Sequence, residues 1–241
     1  MIHTKHSYRS ILCLLLLPLL ALALPRGGDA VAVQSAVTPQ YIALTFDDGP
    51  APETTERLLD GLKERGAHAT FFLIGEQIEG MEDIVKRMRD EGHQIGNHTY
   101  SHAHLDRGDA AALDELSKAD AQLYSVLGEA EYWVRPPWGF ASDVVRQSVN
   151  VPLIYWSVDT EDWRSRNADL IAHTIVQSAQ NGDIVLLHDI YPASVDAALR
   201  AIDTLSVRGY QFVTVEELFS CCSVTPLSGH FYVRPDAEVC W

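Results

Sequence analysis

Short apolar runs alternate with helix-like segments from about residue 38 onward. The runs are rich in β-branched and aromatic residues, which is typical of strands. Between them, residues such as Leu58, Leu59 and Leu62 recur at the spacing that places them on one face of a helix. Gly66 and Gly92 follow two of these segments, where helices commonly end. Regular alternation of strand and helix predicts an α/β protein with a parallel sheet.

The pattern predicts seven strands and seven helices. The predicted strands are Tyr41–Phe46, Ala69–Ile74, Gln94–Asn97, Tyr132–Val134, Leu153–Val158, Asp183–Leu187 and Tyr210–Val213. The predicted helices are Glu53–Arg65, Glu79–Glu91, Asp109–Leu127, Ser142–Val149, Ala168–Gln180, Ser194–Arg208 and Val215–Phe219. Seven such units favour a distorted (β/α) barrel, similar to a TIM barrel, with about seven parallel strands. An open, doubly wound sheet is the alternative.

Composition and charge exclude some classes of function. Hydrophobic residues make up 47% of the 241-residue chain, enough for a core, so disorder over the whole chain is excluded. The chain has 18 Lys and Arg against 33 Asp and Glu, a formal net charge of −15. This excess of acid argues against a nucleic-acid partner and against docking on an anionic membrane. We expect a monomer.

The N-terminal segment resembles a secretory signal peptide. Lys5 and Arg9 precede an apolar run over residues 11–24 that is short for a membrane span. Small residues allow cleavage after Ala23 or Ala32, and we take residues 1–32 as the signal peptide. We therefore expect a secreted, cell-envelope or periplasmic protein. The alternative is an uncleaved anchor, which would hold the protein at a membrane.

Export implies an oxidising compartment, where disulfides form. Three cysteines lie in the C-terminal tail at 221–241, beyond the predicted catalytic domain at 38–220. An odd number leaves one thiol over, and neighbouring cysteines rarely bridge each other without strain. We expect one bridge from Cys221 or Cys222 to Cys240.

Polar residues gather after five of the predicted strands, where the active sites of α/β barrels are built. These clusters are Asp47–Asp48, His98 with His102, Arg135 to Gly139, Asp159 to Trp163, and His188–Asp189. The adjacent carboxylates of Asp47 and Asp48 repel unless a cation or proton lies between them, although a solvated Asp-Gly turn is the alternative. His98 and His102 are spaced to bind one metal, with a carboxylate completing the ligand set. A hydrated polar loop is the alternative for the histidines.

Four other side chains have both a structural and a functional interpretation. His188 is either a core residue or an acid facing the site, with Asp162 raising its pKa by charge pairing. Arg135 either caps carbonyl groups or holds an ionised aspartate. Trp138 and Trp163 are either core residues or flat walls for a sugar ring.

Taken together, these runs resemble the polysaccharide deacetylases, that is, the NodB-homology or carbohydrate esterase family 4 domain. The resemblance extends from about Tyr41 to Leu218. The matching runs are Thr45-Phe46-Asp47-Asp48-Gly49-Pro50, His98-Thr99-Tyr100-Ser101-His102, Arg135-Pro136-Pro137-Trp138-Gly139, Asp159-Thr160-Glu161-Asp162-Trp163 and Leu186-Leu187-His188.

The resemblance implies a hydrolase on a distorted barrel of about seven strands. It implies a divalent metal, usually zinc with cobalt or manganese as alternatives, held by Asp48, His98 and His102. It also makes Asp47 the general base and His188 the general acid.

The resemblance assigns supporting roles to further residues. Arg135 would orient the base, and Asp162 would tune the acid. The residues implied in oxyanion and substrate binding are Trp138, Pro137, Trp163 and Leu186. The family usually has tyrosine where this chain has Trp138, but the backbone N–H is the oxyanion donor, so the exchange leaves that role intact.

The resulting hypothesis is a secreted, metal-dependent hydrolase that removes N-acetyl groups from N-acetylglucosamine residues of a polysaccharide and releases acetate. Peptidoglycan is the favoured polymer and chitin-type oligomers the next, because the stretch over residues 159–167 looks like that of cell-wall deacetylases. The acidic charge counts slightly against an anionic wall polymer. The alternatives are O-deacetylation of xylan-like esters, a silent carbohydrate-binding module on the same fold, and an iron-binding protein using the same three ligands.

Overall fold

The structure is a computed structural model that describes residues 39–239. Its strands are β1 (Gln40–Asp47), β2 (Thr70–Leu73), β3 (Gln94–Asn97), β4 (Leu153–Ile154), β5 (Val158–Asp159), β6 (Asp183–His188), β7 (Tyr210–Phe212), β8 (Phe231–Arg234) and β9 (Ala237–Val239). Its α-helices are α1 (Pro52–Arg65), α2 (Glu82–Asp90), α3 (Asp109–Leu127), α4 (Asp143–Ser148), α5 (Asp162–Ser165), α6 (Ala168–Ser178), α7 (Pro192–Val207) and α8 (Val215–Cys221). Within these residues, no helix combines the length and apolarity that a membrane crossing requires.

Most strands belong to one parallel sheet with the order β3-β2-β1-β6-β5. On the side of β1 that faces away from β6, the first residues of β1 pair with β7 and its last residues pair with β2. A second sheet has the order β4-β8-β9, and single bridges from Val134 to Asn97 and to Leu153 connect it to the edge at β3. The predicted α/β class, a mostly parallel sheet with helices, is confirmed.

The alternation of side chains along β1 separates the core from the functional side. Leu44 and Phe46 are fully buried in the largest apolar cluster, which includes side chains of helices α1 and α7. The intervening Thr45 and Asp47 point to the opposite side, because successive strand residues face opposite ways. Both are buried, yet both are polar. A strand that carries polar side chains on its inner side marks the interior of the barrel as the place to look for chemistry.

Two predicted strands differ from the structure. Of the predicted strand Tyr132–Val134, only Val134 pairs with neighbouring segments. The strand cannot continue beyond it, because Pro136 and Pro137 lack the backbone N–H groups that a β-ladder needs. The predicted strand Leu153–Val158 is two short strands, β4 and β5. The carbonyl groups of Ile154, the last residue of β4, and of Tyr155, which follows it, accept hydrogen bonds from Arg135.

The C-terminal segment contains an element that the sequence pattern did not predict. Strands β8 and β9 form an antiparallel hairpin, and β8 pairs in parallel with β4. Phe231 and Tyr232 of β8 are buried, so this segment completes the second sheet. Cys221 and Cys222 are not bridged to each other. The proposed partner Cys240 and the predicted signal peptide lie outside the described residues.

Candidate active site

The structure brings together, at the carboxyl ends of the strands, all seven residues predicted as catalytic or metal-binding. Asp47 ends β1 and His188 ends β6, and the two are register partners on adjacent strands. The loop after β3 supplies two histidines, the short helix α5 supplies an aspartate, and the segment after Val134 supplies an arginine. These residues are Asp47, Asp48, His98, His102, Arg135, Asp162 and His188. Parallel strands explain the convergence, since their carboxyl ends meet at one edge.

Three of these side chains form a group suited to a metal ion. Asp48 Oδ1 lies 3.5 Å from His98 Nε2 and 3.4 Å from His102 Nε2. One ligand atom from each residue lies within 4.8 Å of the other two. Asp48 adopts the left-handed conformation with φ 71°, and this turn directs its carboxylate to the same side as Asp47. The histidines lie in an irregular loop and not on a helical turn, and Thr99 and His102 also have positive φ.

The protonation states of this group fit a cation. Asp48 Oδ1 is buried and has no hydrogen-bond partner among the described residues. His98 Nδ1 lies 2.6 Å from the carbonyl oxygen of Arg135, so this nitrogen carries the proton and the Nε2 lone pair faces Asp48. Burial lowers the pKa of both His98 and His102, which favours neutral imidazoles that can bind a metal. Burial also raises the pKa of Asp48, a cost that a bound cation would remove.

Asp47 is held by a buried arginine. Arg135 Nη1 donates to Asp47 Oδ1 at 2.8 Å and also to the Thr45 hydroxyl at 2.6 Å. The other guanidinium nitrogens donate to the carbonyl oxygens of Ile154 and Tyr155. Burial lowers the pKa of Arg135, while the charge of Asp47 opposes this effect. The second oxygen, Asp47 Oδ2, lies 3.8 Å from His98 Nε2 and faces the metal-binding group.

His188 is held by a buried aspartate. Its Nδ1 lies 2.8 Å from Asp162 Oδ1, and its backbone N–H donates to Asp162 Oδ2 at 2.8 Å. Ser194 and the backbone of Trp163 donate further hydrogen bonds to the same carboxylate. Burial alone would lower the pKa of His188, but the hydrogen bond and charge of Asp162, with the charges of Asp47 and Asp48, raise it to about 9. A protonated imidazole therefore faces the site at neutral pH.

The residues predicted to contact substrate differ in exposure. Trp138 and Trp163 are each 50% exposed, so neither is a core residue. The Trp138 indole contacts His102 edge-on and stacks on His104, with ring centroids 3.8 Å apart. Leu186 is buried on β6 and, by strand alternation, points to the same side as His188. Pro137 is buried within the turn that carries Trp138 in a left-handed conformation.

Asp189, which the sequence analysis placed beside His188 without a role, is a buried carboxylate beneath the site. Asp189 is fully buried and accepts a hydrogen bond from the Thr55 hydroxyl, and burial raises its pKa to about 7. Its carboxylate lies so close to Gly49 that a Cβ at that position would be 2.5 Å from Asp189 Oδ1. Gly49 is therefore required by close approach, and not only by the turn. A single sequence carries no signal for this contact beyond the Asp next to His188.

Asn97 is another residue to which the sequence analysis gave no role. Its side-chain amide donates to the carbonyl oxygen of Leu116 and to Asp120 on helix α3. Its side-chain oxygen accepts from the backbone N–H of Thr99 at 2.8 Å. Asn97 thus ties the histidine loop to a long helix and fixes the position of the neighbouring His98.

A cavity of about 370 Å³ opens beside the metal-binding group, with Asp48 and His102 in its lining. A larger cavity of about 520 Å³ lies beside α3 and is lined by Tyr124 and Tyr132, but by none of the predicted catalytic residues. We assign the functional site to the smaller cavity, because its lining includes two predicted metal ligands and the lining of the larger cavity includes none of the predicted residues.

Comparisons with known proteins show what this chain is similar to. Residues 34–151 match the family model described as polysaccharide deacetylase. A peptidoglycan-N-acetylmuramic acid deacetylase of Bacillus subtilis is 40% identical over 180 residues, which cover 74% of this chain and 38% of that protein. A peptidoglycan-N-acetylglucosamine deacetylase of Bacillus cereus is 38% identical over 201 residues, which cover 79% of this chain and 72% of that protein. The chain therefore spans about two fifths of the first of these relatives and most of the second.

A solved structure extends the similarity to the fold. The family 4 acetyl xylan esterase of Clostridium thermocellum, in complex with a cobalt ion, aligns with a TM-score of 0.77 at 29% identity. The alignment covers 82% of this chain and all of that one.

Proposed function

The chain belongs to the polysaccharide deacetylase family, and from that premise we propose that it removes N-acetyl groups from N-acetylglucosamine residues of a cell-wall polysaccharide and releases acetate. The observation that carries the proposal is the arrangement around Asp48, His98 and His102. Asp47 Oδ2, held by its arginine, lies 3.8 Å from His98 Nε2, and His188 Nε2, held by its aspartate, lies 4.0 Å from Asp48 Oδ2. Amide hydrolysis needs a base and an acid at two different points, and this arrangement supplies both.

Asp48, His98 and His102 are the residues that would hold a divalent metal. The donor set of two imidazoles and one carboxylate suits zinc or cobalt, and a cobalt ion is named in the similar acetyl xylan esterase. Such an ion, when bound, polarises a carbonyl group and makes a bound water more acidic.

The chain's own residues perform the proton transfers. Asp47 Oδ2 accepts a proton as water attacks the amide carbon, while Oδ1 stays fixed by Arg135. The new carbon–oxygen bond gives a tetrahedral centre, and the Trp138 backbone N–H would donate a hydrogen bond to the negatively charged oxygen on it. His188 Nε2 then gives its proton to the nitrogen as the carbon–nitrogen bond breaks, because an amide nitrogen leaves poorly without one. The products are acetate and a free amine.

Peptidoglycan is the favoured polymer, since both bacterial relatives named above carry it in their names. A second candidate is O-deacetylation of acetylated xylan, which the similarity to an acetyl xylan esterase favours. The alcohol oxygen of an ester is a better leaving group than the nitrogen of an amide, so this reaction depends less on proton donation by His188. We further propose that the protein acts outside the cytoplasm, on the basis of the signal-like segment at residues 1–32.

The test is acetate release by the purified protein from peptidoglycan, chitin oligomers and acetylated xylan. Each substrate is assayed with zinc, with a chelator, and with the Asp47→Asn variant. The proposal predicts release from peptidoglycan that the chelator and the variant both abolish. Release from xylan alone would favour the second candidate. The absence of release from all three polymers, by folded and zinc-loaded protein, would refute the proposed activity.

A further inference from the structure

Arg166 differs from nearly every other basic residue in the part of the chain that the structure describes. Over residues 39–239, only Arg166 and Arg208, among the lysines and arginines, have no carboxylate oxygen within 4.0 Å. Arg208 lies at the end of α7 remote from His188 and donates to the carbonyl oxygen of Val176. In a chain with a net charge of −15, an arginine without an acidic partner at the active-site end is unusual.

The Arg166 guanidinium is held in place by groups that leave its charge uncompensated. Its Nε donates to the carbonyl oxygen of Trp163 at 2.7 Å. Its central carbon lies 3.3 Å from the centroid of the Tyr191 ring, a close cation–π contact. The backbone of Arg166 is in the left-handed conformation, with φ 48°, and its N–H donates to the carbonyl oxygen of Asp162. These contacts fix the guanidinium plane and use only one of its three nitrogens as a hydrogen-bond donor.

Arg166 is separated from the predicted acid His188 by one side chain, that of Tyr191. The Tyr191 ring on which it stacks lies 6.0 Å from the ring of His188, between centroids. Arg166 itself follows α5, which supplies Asp162 to the same histidine. Its side chain is exposed, as is the neighbouring Trp163. A substrate that places its amide nitrogen near His188 would therefore bring its adjoining groups within reach of this cation.

We propose that Arg166 binds a carboxylate carried by the glycan strand next to the sugar that is deacetylated, and so selects an anionic polymer over a neutral one. The guanidinium fork matches a carboxylate in geometry and charge, and a fixed fork loses little freedom on binding. This inference rests on the proposed deacetylation and adds to it the class of substrate. The carboxylate belongs either to the lactyl group of a muramic acid residue or to a peptide attached to it. A local cation would also offset the repulsion between an acidic protein and an anionic polymer.

Arg164 provides a matched control for Arg166. Both arginines are exposed, they lie two positions apart, and replacing either by glutamine removes one charge. Arg164, however, donates to Glu161 at 2.7 Å, and its charge is already paired. Any effect of net charge alone appears in both variants, whereas an effect of carboxylate binding appears only in Arg166→Gln.

The experiment compares kcat/KM for deacetylation of one glycan fragment with its carboxylates free or converted to amides. The fragment is used without peptide, where only lactyl carboxylates are present, and with peptide, where the peptide carries the charge. The wild-type protein should prefer the free acid, and Arg166→Gln should reduce that preference about tenfold, mainly through KM. Arg164→Gln should keep the wild-type preference, and Arg166→Lys should restore part of it. The fragment for which Arg166→Gln reduces the preference, the one without peptide or the one with it, identifies which carboxylate is bound.

Two results would overturn the inference. One is an unchanged preference in Arg166→Gln, and the other is an equal loss of preference in both arginine variants. Binding of the same fragments to the Asp47→Asn variant, measured by titration calorimetry with and without the Arg166 change, tests the inference separately from catalysis. Failure of the wild-type protein to release acetate would refute the proposed function, whereas equal binding of free and amidated fragments would refute the role of Arg166.

Discussion

Two ion pairs lie next to the metal-binding group, and the fully buried partner is the cation in one pair and the anion in the other. In one pair, Arg135 is fully buried and Asp47 keeps one oxygen facing the site. In the other pair, Asp162 is fully buried and His188 keeps Nε2 facing the site. Both pairs are joined by a contact of 2.8 Å. The same interaction thus presents a carboxylate to the site in one pair and an imidazolium in the other.

The difference between the pairs lies in which partner is fully buried, the cation Arg135 in one pair and the anion Asp162 in the other. Arg135 donates to four protein oxygens, which compensates the burial of its charge. Asp162 accepts from His188 twice, from Ser194 and from the backbone of Trp163. A buried ion held by four hydrogen bonds has little freedom to reorient, so its partner is held in place as well. The fully buried cation Arg135 holds the carboxylate that acts as the base, and the fully buried anion Asp162 holds the imidazolium that acts as the acid.

Removing the buried cation should have the largest effect. Arg135→Met leaves Asp47 buried without its cation and removes the Arg135 hydrogen bonds to three other oxygens, so we expect a loss of about 3–5 kcal/mol in the free energy of unfolding and of nearly all turnover. Chemical denaturation measures the first quantity and acetate release the second. Arg57→Met is the control, because Arg57 pairs with Asp196 on the surface, where an ion pair contributes about 0–1 kcal/mol. Equal destabilisation by the two changes would contradict the comparison.

Removing either reactive group should reduce turnover with less effect on folding. Asp47→Asn and His188→Ala should each lower kcat by about two orders of magnitude or more, because each eliminates one proton transfer. The Asp47→Asn side chain keeps an oxygen for Arg135, which also retains its hydrogen bonds to three other oxygens, so we expect less destabilisation than in Arg135→Met. Stopped assays of acetate, with folding checked by circular dichroism, measure the effect. Near-normal turnover in either folded variant would remove that residue from the mechanism.

Removing the charge of the buried anion should move the pH dependence. The pKa of His188, about 9, keeps the acid protonated below that pH, and activity should be lost as the pH rises through it. Asp162→Asn removes the main interaction that raises this pKa, so the alkaline limb of kcat/KM should move at least one unit toward the ordinary value of 6.5. The acidic limb belongs to other groups and should stay. An unmoved alkaline limb would show that His188 is not the group that titrates.

The smallest expected effect concerns the support of Trp138. His104 stacks on the indole with an angle of 13° between the rings, and His104→Ala removes that contact. Stacked pairs contribute about 0.5–1.5 kcal/mol, so kcat should fall up to about tenfold. His104→Phe keeps an aromatic ring in place and should restore most of the rate. If Phe and Ala at this position behave alike, the stack does not support the site.

The strands that position the site were predictable because they are short apolar runs followed by polar residues. β1 and β6 were predicted to within one residue at each end, and β3 was predicted with its observed bounds. Asp47 and His188 are the last residues of β1 and β6, and His98 directly follows β3. These residues converge because the strands are parallel and their carboxyl ends lie at the same edge. Helix α3 also has its predicted bounds, set by Gly108 and Gly128.

The remaining features depend on contacts between distant residues. The break between β4 and β5 lies where the side chain of Arg135, about 20 positions earlier in the chain, donates hydrogen bonds to the carbonyl oxygens of Ile154 and Tyr155. The contact of Asp189 with Gly49 joins two loops that are adjacent only once β1 and β6 have paired. Hydrophobic periodicity reports which face of an element is buried, but not which partner buries it.

The central claim is that the adjacent carboxylates serve different groups, with Asp48 among the metal ligands and Asp47 in the ion pair with Arg135. Calorimetric titration of zinc into metal-free protein tests this claim most directly, with the wild-type, Asp47→Asn and Asp48→Asn proteins side by side. We predict one zinc per chain in the wild-type and Asp47→Asn proteins, and loss of that binding in Asp48→Asn. Equal loss in both variants, or retention of binding in Asp48→Asn, would contradict it.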